Sequence, residues 1–270
     1  MGIKTKISNN QLPKKYQKYN LIETSDGITD TVYLLDDIYV LKVFEEQTEN
    51  QLKNEQTLLI ILQDLKVPKV VDTLIIDNKK AIIYTQIVGK SIKHPTINEI
   101  EQIGLFLKEQ HKLTKNRKSS NKKLYEKDNL KELILLTKNN LLLDYFLDIN
   151  INLKDDGLIH GDIFPDNVKF KDNKLMGVYD YNEACQGDFL FDLAVIASSW
   201  CFDESILNKD KLSVLINIYD KSIDKIKFIE YIKYSLLYYI VTRLIDNYNS
   251  DDLIKKLSST LNIKKDQYEN

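Results

Sequence analysis

The feature that most constrains the fold is a change in hydrophobic periodicity near Gly89. Before this residue, short β-prone runs are separated by turn residues, and after it most apolar residues recur at helical spacing. Such a change indicates two structural units of different composition. We therefore expect an α+β fold with two lobes, a small antiparallel sheet lobe at residues 1–88 and a larger helical lobe at residues 89–270.

In the first lobe, the sequence predicts four strands and one long helix. Asp36 and Asp37 separate the first two β-prone runs, which is the spacing of a tight hairpin. Residues 48–65 carry apolar side chains at helical spacing, with Thr48 as a plausible N-cap. The predicted strands are 31–35, 38–44, 70–76 and 81–87.

The second lobe is predicted to be mainly helical. The segments with helical spacing are 96–113, 127–147, 189–201, 211–219 and 226–248. A mixed segment, residues 158–181, lies among them and contains two short strands around Asp172-Asn173, which indicates a second hairpin. Because ligands commonly bind between two lobes of this kind, we expect the functional site in the cleft.

The composition excludes several classes of partner. Lys+Arg 38 against Asp+Glu 40 gives a net charge of −2, which does not favour nucleic acid or an anionic membrane. No apolar run approaches the roughly 18 residues that indicate a membrane span. The N-terminus lacks the apolar core of a signal peptide, and two cysteines are too few for a disulfide framework or a zinc cluster. We expect a cytoplasmic protein with reduced cysteines, without nucleic acid or membrane as a partner.

The residues that carry chemistry lie in the mixed segment. His160, Asp162 and Asn167 form the pattern His-x-Asp-x4-Asn, and Asp180 follows within the next β-prone run. Phosphoryl transfer from MgATP needs a carboxylate that accepts the proton of the attacking hydroxyl, and further oxygens that hold the metal. The pattern therefore predicts Asp162 as the catalytic base, with Asn167 and Asp180 as Mg²⁺ ligands. The alternative is a polar turn followed by a buried aspartate that caps a helix.

The sheet lobe should supply contacts to the phosphates. Lys42 lies inside an apolar strand, where a half-buried ammonium needs an anion, either a phosphate or a carboxylate. Glu55, in the middle of the following helix, is the natural carboxylate partner, with Glu49 and Glu46 as alternatives. The competing interpretation is a lysine that extends to solvent from an edge strand, and a solvated glutamate.

Two further segments could contact the nucleotide through the backbone. The turn at residues 25–31 precedes Lys42 and contains Gly27 and Thr29, which places it where a phosphate-covering loop belongs. An ordinary hairpin turn is also consistent with the sequence of this segment. Thr85 and Ile87 stand at the end of the sheet lobe, where backbone groups could meet adenine.

Two absences point to a small acceptor. Gly161 stands where a protein kinase has the arginine of its His-Arg-Asp loop, and Asp180 is followed by Tyr-Asn instead of Phe-Gly. The next helix is predicted to begin at Phe189, nine residues after Asp180, which leaves no room for an activation segment or a peptide-docking platform. We therefore expect a small molecule with a hydroxyl group as the acceptor.

These residues resemble the aminoglycoside-phosphotransferase and choline-kinase superfamily, which has a protein-kinase-like fold. Within it, the chain is most similar to the bacterial homoserine kinases of this fold. The stretches that carry the closer similarity are Gly-Ile-Thr-Asp-Thr-Val-Tyr at 27–33, the motifs between 89 and 104, Tyr-Asp-Tyr at 179–181 with the motifs up to 202, and Thr-Arg-Leu at 242–244 with Asp246. The resemblance covers residues 20–250 and implies Asp162 as base, Asn167 and Asp180 as magnesium ligands, Lys42 as the phosphate lysine and Glu55 as its partner.

Acidic side chains are the first candidates for contact with the acceptor. Glu183 and Asp188 could bind an ammonium group, although Asp188 also fits the N-cap of the helix that follows. Asp192 and His160 are expected to support the catalytic loop.

Arg243 could bind a carboxylate, because it is one of two arginines and lies in an otherwise apolar helix. The alternative for Arg243 is an ion pair with Asp246 or another acid.

The sequence as a whole predicts a magnesium-dependent kinase that transfers the γ-phosphate of ATP to a hydroxyl, with L-homoserine as the expected acceptor. Another kinase of the same fold, for choline, ethanolamine or an aminoglycoside, is the first alternative. A nucleotide-binding pseudokinase is the second.

Overall fold

The computed structural model describes residues 3–24, 30–121 and 123–261. The strands are β1 Leu21–Glu23, β2 Thr31–Leu35, β3 Tyr39–Val43, β4 Val70–Ile76, β5 Lys79–Thr85, β6 Gly157–Ile159, β7 Val168–Lys171, β8 Lys174–Val178, β9 Cys185–Gly187, β10 Phe202–Asp203 and β11 Ile206–Leu207. The helices are α1 Glu49–Ile61, α2 Ile97–Thr114, α3 Lys127–Thr137, α4 Asn140–Asp148, α5 Phe189–Trp200, α6 Lys209–Asp220, α7 Lys225–Ile245 and α8 Asp251–Leu261.

The first lobe is built on an antiparallel sheet of five strands in the order β1-β2-β3-β5-β4. The two turns that the sequence marks are present, because Asp36, Asp77 and Asn78 adopt positive φ angles of 49°, 48° and 63° between paired strands. Short polar residues such as Asp and Asn tolerate this conformation better than other side chains. The antiparallel sheet lobe is thus confirmed.

The two faces of this sheet are covered differently. Leu41 and Val43 of β3 face the N-terminal segment, where Leu12 and Tyr16 complete a small apolar core. Because side chains alternate along a strand, Lys42 lies on the opposite face, toward α1 and the second lobe. The sequence pattern did not reveal that the N-terminal segment covers one face, since its apolar residues are sparse.

Helix α1 begins at the N-cap that the sequence predicts. Thr48 accepts a hydrogen bond from the backbone N–H of Gln51, which in turn bonds back to Thr48 to complete a capping box. Glu55 lies on the buried face of α1, one turn after Leu52 and one turn before Leu58 and Leu59. This register places the Glu55 carboxylate against the sheet.

The second lobe is mainly helical, as expected, with one division that the sequence did not show. The predicted helix at 127–147 is two helices, α3 and α4, because Lys138 ends α3 in the left-handed conformation with φ 55° and Asn139 caps α4. Helix α8 was not predicted. In the described part of the chain, no helix is long and apolar enough to cross a membrane.

The link between the lobes is pinned to the second lobe. Gly89 has φ +142°, and Lys90 pairs with Phe170 of β7 through two backbone hydrogen bonds of 2.9 Å. The apolar core beneath α1 continues into the helical lobe without interruption. The cleft therefore lies beside a packed junction, and the two lobes share part of one core.

Candidate active site

The catalytic loop, residues 160–167, runs from β6 to the β7–β8 hairpin. Strand β6 is paired with β9, so that the chain after Asp180 returns beside the start of the loop. Gly161 has φ +80°, a conformation that side-chain-bearing residues rarely adopt. This gives a physical reason for glycine at the position that holds arginine in protein kinases.

Asp192 of α5 holds the beginning of the loop. Its fully buried carboxylate accepts backbone hydrogen bonds from His160 at 2.9 Å and Gly161 at 2.8 Å. It also contacts His111 Nε2 at 2.9 Å. Burial disfavours its charge, but these donors outweigh burial and lower the pKa of Asp192 below its ordinary value. Asp192 is thus a structural support for the loop, as predicted.

His160 supports the loop from within. Its Nδ1 accepts from the backbone N–H of Asp162 at 3.1 Å, and its Nε2 contacts the carbonyl oxygen of Tyr179 at 3.1 Å. The ring is completely buried, and burial lowers its pKa. A neutral ring with the proton on Nε2 satisfies both contacts. His160 therefore ties the loop to β8, in agreement with the predicted role.

Two aromatic side chains also hold the loop, and the sequence analysis did not identify either of them as doing so. Trp200 Nε1 donates to the carbonyl oxygen of Ile163 at 2.9 Å. The Tyr239 hydroxyl donates to the carbonyl oxygen of Gly161, and its ring packs edge-on against Phe164 with a centroid distance of 4.7 Å. Because the acceptors of these bonds are backbone oxygens, the sequence of the loop could not have indicated them.

Asp162 and Asn167 are brought together by the loop. Asn167 Nδ2 donates to Asp162 Oδ2 at 2.8 Å and to the Asp162 carbonyl oxygen at 2.9 Å. Burial and the nearby carboxylates, first among them Asp180, raise the pKa of Asp162 well above its ordinary value. The backbone N–H of Tyr179 donates to the carbonyl oxygen of Asn167 at 3.0 Å, which brings the following Asp180 to the same place.

Asp180 occupies an unusual backbone conformation for a residue with a side chain. Its φ is 67°, and residues held in this region cluster at functional sites. One carboxylate oxygen lies 2.8 Å from Lys42 Nζ. Burial works against the charge, but the Lys42 ammonium outweighs it and lowers the pKa of Asp180.

The donor set around Asp180 fits a magnesium ion. Asn167 uses its NH₂ group for Asp162, which leaves its carbonyl oxygen as the group able to bind a cation. Mg²⁺ is commonly held by one or two carboxylates, with phosphates and water completing the shell. In the described residues, no group of three or more His, Cys, Asp or Glu side chains is placed to hold a metal ion without other ligands.

Lys42 is placed in the cleft, but its partners differ from the expected one. Besides Asp180, its ammonium lies 3.4 Å from Asp30, and neither Glu55 nor the alternatives Glu46 and Glu49 forms an ion pair with it. Burial opposes the charge, and the surrounding carboxylates still raise the pKa of Lys42. The predicted direct pair between Lys42 and Glu55 is therefore corrected for this structure.

Glu55 instead bonds to a tyrosine of the sheet. The Tyr84 hydroxyl donates to Glu55 Oε1 at 3.0 Å, while Oε2 is buried without a hydrogen-bond partner. Burial raises the pKa of Glu55 to about 7, even though the Lys42 charge acts in the opposite direction. Lys42 reaches Asp30 through the β2–β3 hairpin, because Val32, two residues after Asp30, pairs with Lys42. Asp180 comes from the second lobe, which the helix register alone could not show.

The two residues predicted to meet adenine through their backbone, Thr85 and Ile87, lie at the end of β5 and just after it. Thr85 ends β5, and both its N–H and its hydroxyl bond to the backbone of Lys69 at 2.9 Å. Ile87 lies against Gly177, where an added Cβ would be only 2.5 Å from Ile87 Cδ1. Gly27 and Thr29 lie outside the described residues.

The prediction that Asp188 contacts the acceptor is corrected by the structure. Its carboxylate is completely buried and caps α5 by accepting from the backbone N–H groups of Leu190 and Phe191. The other oxygen accepts from the backbone of Lys154 at 2.8 Å and from the Tyr231 hydroxyl at 3.2 Å. This is the capping role that the sequence offered as the alternative. Glu183 is exposed and follows Asp180 at the cleft, so it stays a candidate.

Arg243 forms an ion pair with an acid that the sequence analysis did not name. Its Nη1 lies 3.1 Å from Asp252 of α8, and its side chain is 33% exposed. It is also one helical turn beyond Tyr239, which contacts the catalytic loop. The structure thus places Arg243 in an ion pair with an acid, which is the alternative that the sequence analysis left open.

Comparison with known proteins identifies a family and a fold. The model of the "Phosphotransferase enzyme family" matches residues 21–209. The homoserine kinase of Methylobacillus flagellatus is 26% identical over 230 residues, which are 74% of this chain and 72% of that protein. The homoserine kinase of Methylocella silvestris is 35% identical over 99 residues, and this match spans 31% of its length.

Solved structures show the same fold at low sequence identity. The GDP complex of wild-type aminoglycoside 2′-phosphotransferase-IIIa has a TM-score of 0.66 at 16% identity and covers 90% of this chain and 93% of that one. The gentamicin-APH(2″)-IIa complex has a TM-score of 0.63 at 21% identity, with coverages of 93% and 94%. The two-lobed, protein-kinase-like fold that the sequence predicts is confirmed.

Proposed function

The chain belongs to the phosphotransferase enzyme family, and from this premise we propose that it transfers the γ-phosphoryl group of ATP to a hydroxyl of a small molecule. The observation that carries the proposal is the convergence of Asp162, Asn167 and Asp180 in one cleft, facing Lys42 from the sheet lobe. In phosphoryl transfer, catalysis consists mainly of positioning and of neutralising charge.

The roles follow from the geometry of the loop. Asp162 accepts the proton of the acceptor hydroxyl, while the bond between the γ-phosphorus and the leaving oxygen of ADP breaks and the bond to the acceptor oxygen forms. The hydrogen bond from Asn167 orients the Asp162 carboxylate for this step. Lys42 holds the phosphates through a charge that is always present, because its pKa is raised.

Asn167 and Asp180 are the residues that would hold Mg²⁺. When bound, the ion would neutralise charge on the phosphate oxygens. Burial and, after it, the neighbouring carboxylates raise the pKa of Asp162, and a bound divalent cation would offset the repulsion among these carboxylates.

A small acceptor fits the chain better than a protein acceptor. Between Asp180 and the first turn of α5 the chain makes only a turn and strand β9. This short connection pairs with β6 and leaves no segment for binding a peptide. Glu183, which is exposed beside the loop, can favour an acceptor that bears an ammonium group.

We propose L-homoserine as the acceptor. Supporting this choice, homoserine kinase is the name of the relative that aligns over 74% of the chain. An aminoglycoside is the second candidate, because the structural neighbours bear that name. Homoserine has both an ammonium and a carboxylate, whereas an aminoglycoside offers only cations and hydroxyls.

The test is a panel of acceptors in a coupled assay for ADP, with ATP and GTP as separate donors. We expect turnover with homoserine and MgATP, and at least a thousandfold lower kcat in Asp162→Asn with nearly unchanged binding of ATP. Turnover by Asp162→Asn at the wild-type rate would remove this residue from the mechanism. Thermal stabilisation by MgATP without turnover on any acceptor would favour the pseudokinase alternative.

Arg243 is proposed to bind the acceptor carboxylate. We expect Arg243→Ala to raise the KM for homoserine at least tenfold, because a bidentate arginine–carboxylate contact is lost. Asp252→Ala is the matched control, since it removes the partner of Arg243 and leaves the guanidinium in place. If both variants lose stability and neither changes KM, Arg243 serves only to join α7 to α8.

A further inference from the structure

A buried carboxylate from the sheet lobe lies at the position where Lys42 should meet the phosphates. The Asp30 side chain is 4% exposed, and its Oδ2 is 3.4 Å from Lys42 Nζ. The same oxygen accepts a hydrogen bond from Asn182 Nδ2 at 3.1 Å, and Oδ1 accepts one from the backbone N–H of Glu45 at 3.2 Å. Asp30 is therefore held by three partners, one of which follows Asp180 in the second lobe.

The charge around Lys42 does not favour an anion. The single ammonium lies between two carboxylates, those of Asp180 and Asp30, and is only 11% exposed. One carboxylate balances the charge of a lysine, whereas two carboxylates leave the group with a net negative charge. A lysine with two carboxylate partners therefore attracts a phosphate less than a lysine with one. A polyphosphate in this position is attracted by Lys42 and repelled by Asp30 at short range, where the local dielectric is low.

The contact with Asn182 locates Asp30 at the nucleotide end of the cleft. Asn182 is two residues after Asp180, and its Nδ2 reaches across from the second lobe to the Asp30 carboxylate. Asn182 Oδ1 is buried and has no hydrogen-bond partner, so in this arrangement the amide of Asn182 bonds to Asp30 through one end only. A buried polar atom left in this way carries a free-energy cost that another arrangement of the amide could relieve.

We propose that Asp30 is an internal competitor for the phosphates of the nucleotide, so that its carboxylate weakens nucleotide binding by competing for Lys42. The inference rests on the proposed function, because it assumes that the phosphates bind at Lys42. Asp30 thereby sets the affinity of the site, and the lysine has an anionic partner whether or not a phosphate is present.

The test is calorimetric titration of the full chain and of Asp30→Asn with ADP, once with Mg²⁺ and once with EDTA. We expect the substitution to lower the Kd for ADP roughly tenfold in both conditions, because a charge-assisted contact of ordinary strength no longer competes. The new amide can keep the Glu45 contact through its oxygen. Rotation of the Asn182 amide would then offer it the unpaired Oδ1 as an acceptor, so the variant should fold.

Asp37→Asn is the matched control, because Asp37 is exposed in the β2–β3 turn of the same lobe. This substitution removes the same charge as Asp30→Asn does. The Kd of Asp37→Asn should equal that of the wild type. An unchanged Kd in Asp30→Asn overturns the inference, as does binding that weakens only with Mg²⁺, which would make Asp30 a support for the metal. If none of the three proteins binds ADP, the proposed function itself fails.

A second readout separates competition from a general effect on folding. Without nucleotide, Asp30→Asn should melt at a lower temperature than the wild type, because Lys42 loses a buried partner. The increase in Tm on adding MgADP should be larger in the variant, since at a fixed nucleotide concentration the stabilisation grows with the logarithm of the ratio of that concentration to Kd. An equal increase in both proteins would contradict the proposal.

Discussion

Glu55 shows how a single buried side chain can make stability depend on pH. Its carboxylate has one hydrogen bond, from Tyr84, and one oxygen without a partner. Burial raises its pKa from 4.5 to about 7, so the folded chain binds this proton more tightly than the unfolded chain does. The contribution of Glu55 to stability therefore falls as pH rises from about 4.5 to about 7, and the full cost is present above that range.

Glu55→Gln should remove this dependence. We expect the Tm of the variant relative to wild type to rise between pH 5 and pH 8, with a change in the free energy of unfolding of at most about 3 kcal/mol. Thermal melts at four pH values measure this difference. Glu49→Gln is the control, since Glu49 is exposed on the same helix and pairs with Lys80. A difference that is constant with pH would show that Glu55 is ionised throughout.

Substitution of Tyr239 tests whether catalysis needs the hydrogen bond from α7 to the backbone of the catalytic loop. In Tyr239→Phe the ring stays against Phe164 and the bond to the Gly161 carbonyl oxygen is lost. We expect kcat to fall about tenfold with little change in the KM for ATP, because the loss of one hydrogen bond loosens Asp162. Tyr234→Phe, on the same helix as Tyr239, is the control, since its hydroxyl bonds to the carbonyl oxygen of Tyr125, which lies outside the catalytic loop. Equal kcat in the two variants would contradict this role.

At the scale of elements, some boundaries could be predicted and others could not. Thr48 and the turns at Asp77-Asn78 and Asp172-Asn173 are local signals, because a cap or a positive φ depends on the residue itself. Strands β6 and β9 have three residues each, and they exist only because they pair across the fold. Their sequences are too short to show a period, so no local rule could identify them.

In the candidate site, too, some residues could be predicted from the sequence and others could not. Asp162, Asn167 and Asp180 could be predicted because the chemistry needs those side chains at a fixed spacing. The bond from Trp200 to Ile163 could not, because it depends on which distant helix packs against the loop. Asp30 was missed although it lies two residues before Val32, which pairs with Lys42 in the β2–β3 hairpin. The amino-acid sequence identifies the functional groups, whereas the hydrogen-bond and ion-pair partners of those groups are set by the fold.

The N-cap of α5 provides a prediction at this scale. Asp188→Ala should lower the free energy of unfolding by about 2 kcal/mol or more, because it removes a cap and leaves the buried Lys154 N–H without its Asp188 acceptor. Asp224→Ala, at the exposed N-cap of α7, should cost about 1 kcal/mol. Chemical denaturation of both variants measures the difference. A larger loss in Asp224→Ala would contradict the structural role of Asp188.

At the scale of the whole molecule, the junction between the lobes is rigid at one point. Gly89 has a φ that favours glycine, and an added Cβ would lie 2.7 Å from the carbonyl oxygen of Phe170. Two backbone hydrogen bonds at Lys90 fix the same link to β7. The link between the lobes is therefore fixed to β7 at Gly89 and Lys90.

Gly89→Ala tests this junction. We expect a loss of about 1–3 kcal/mol in the free energy of unfolding, since the new side chain is strained and meets backbone. Val88→Ala is the neighbouring control, because Val88 is 47% exposed and its truncation should change stability by less than about 0.5 kcal/mol. Denaturant titration of both variants gives the comparison, and equal stabilities would mean that the link can move away from Phe170.

The bonds that hold the catalytic loop end on main-chain atoms, and this has a consequence for evolution. Trp200, Tyr239 and Asp192 bind oxygens and N–H groups that every residue at those positions possesses. The side chains of Ile163 and Phe164 therefore contribute packing and take no part in these bonds, since Ile163 is buried in the core and Phe164 packs against Tyr239. A laboratory search for new acceptors should keep both positions apolar and leave the three anchoring side chains alone.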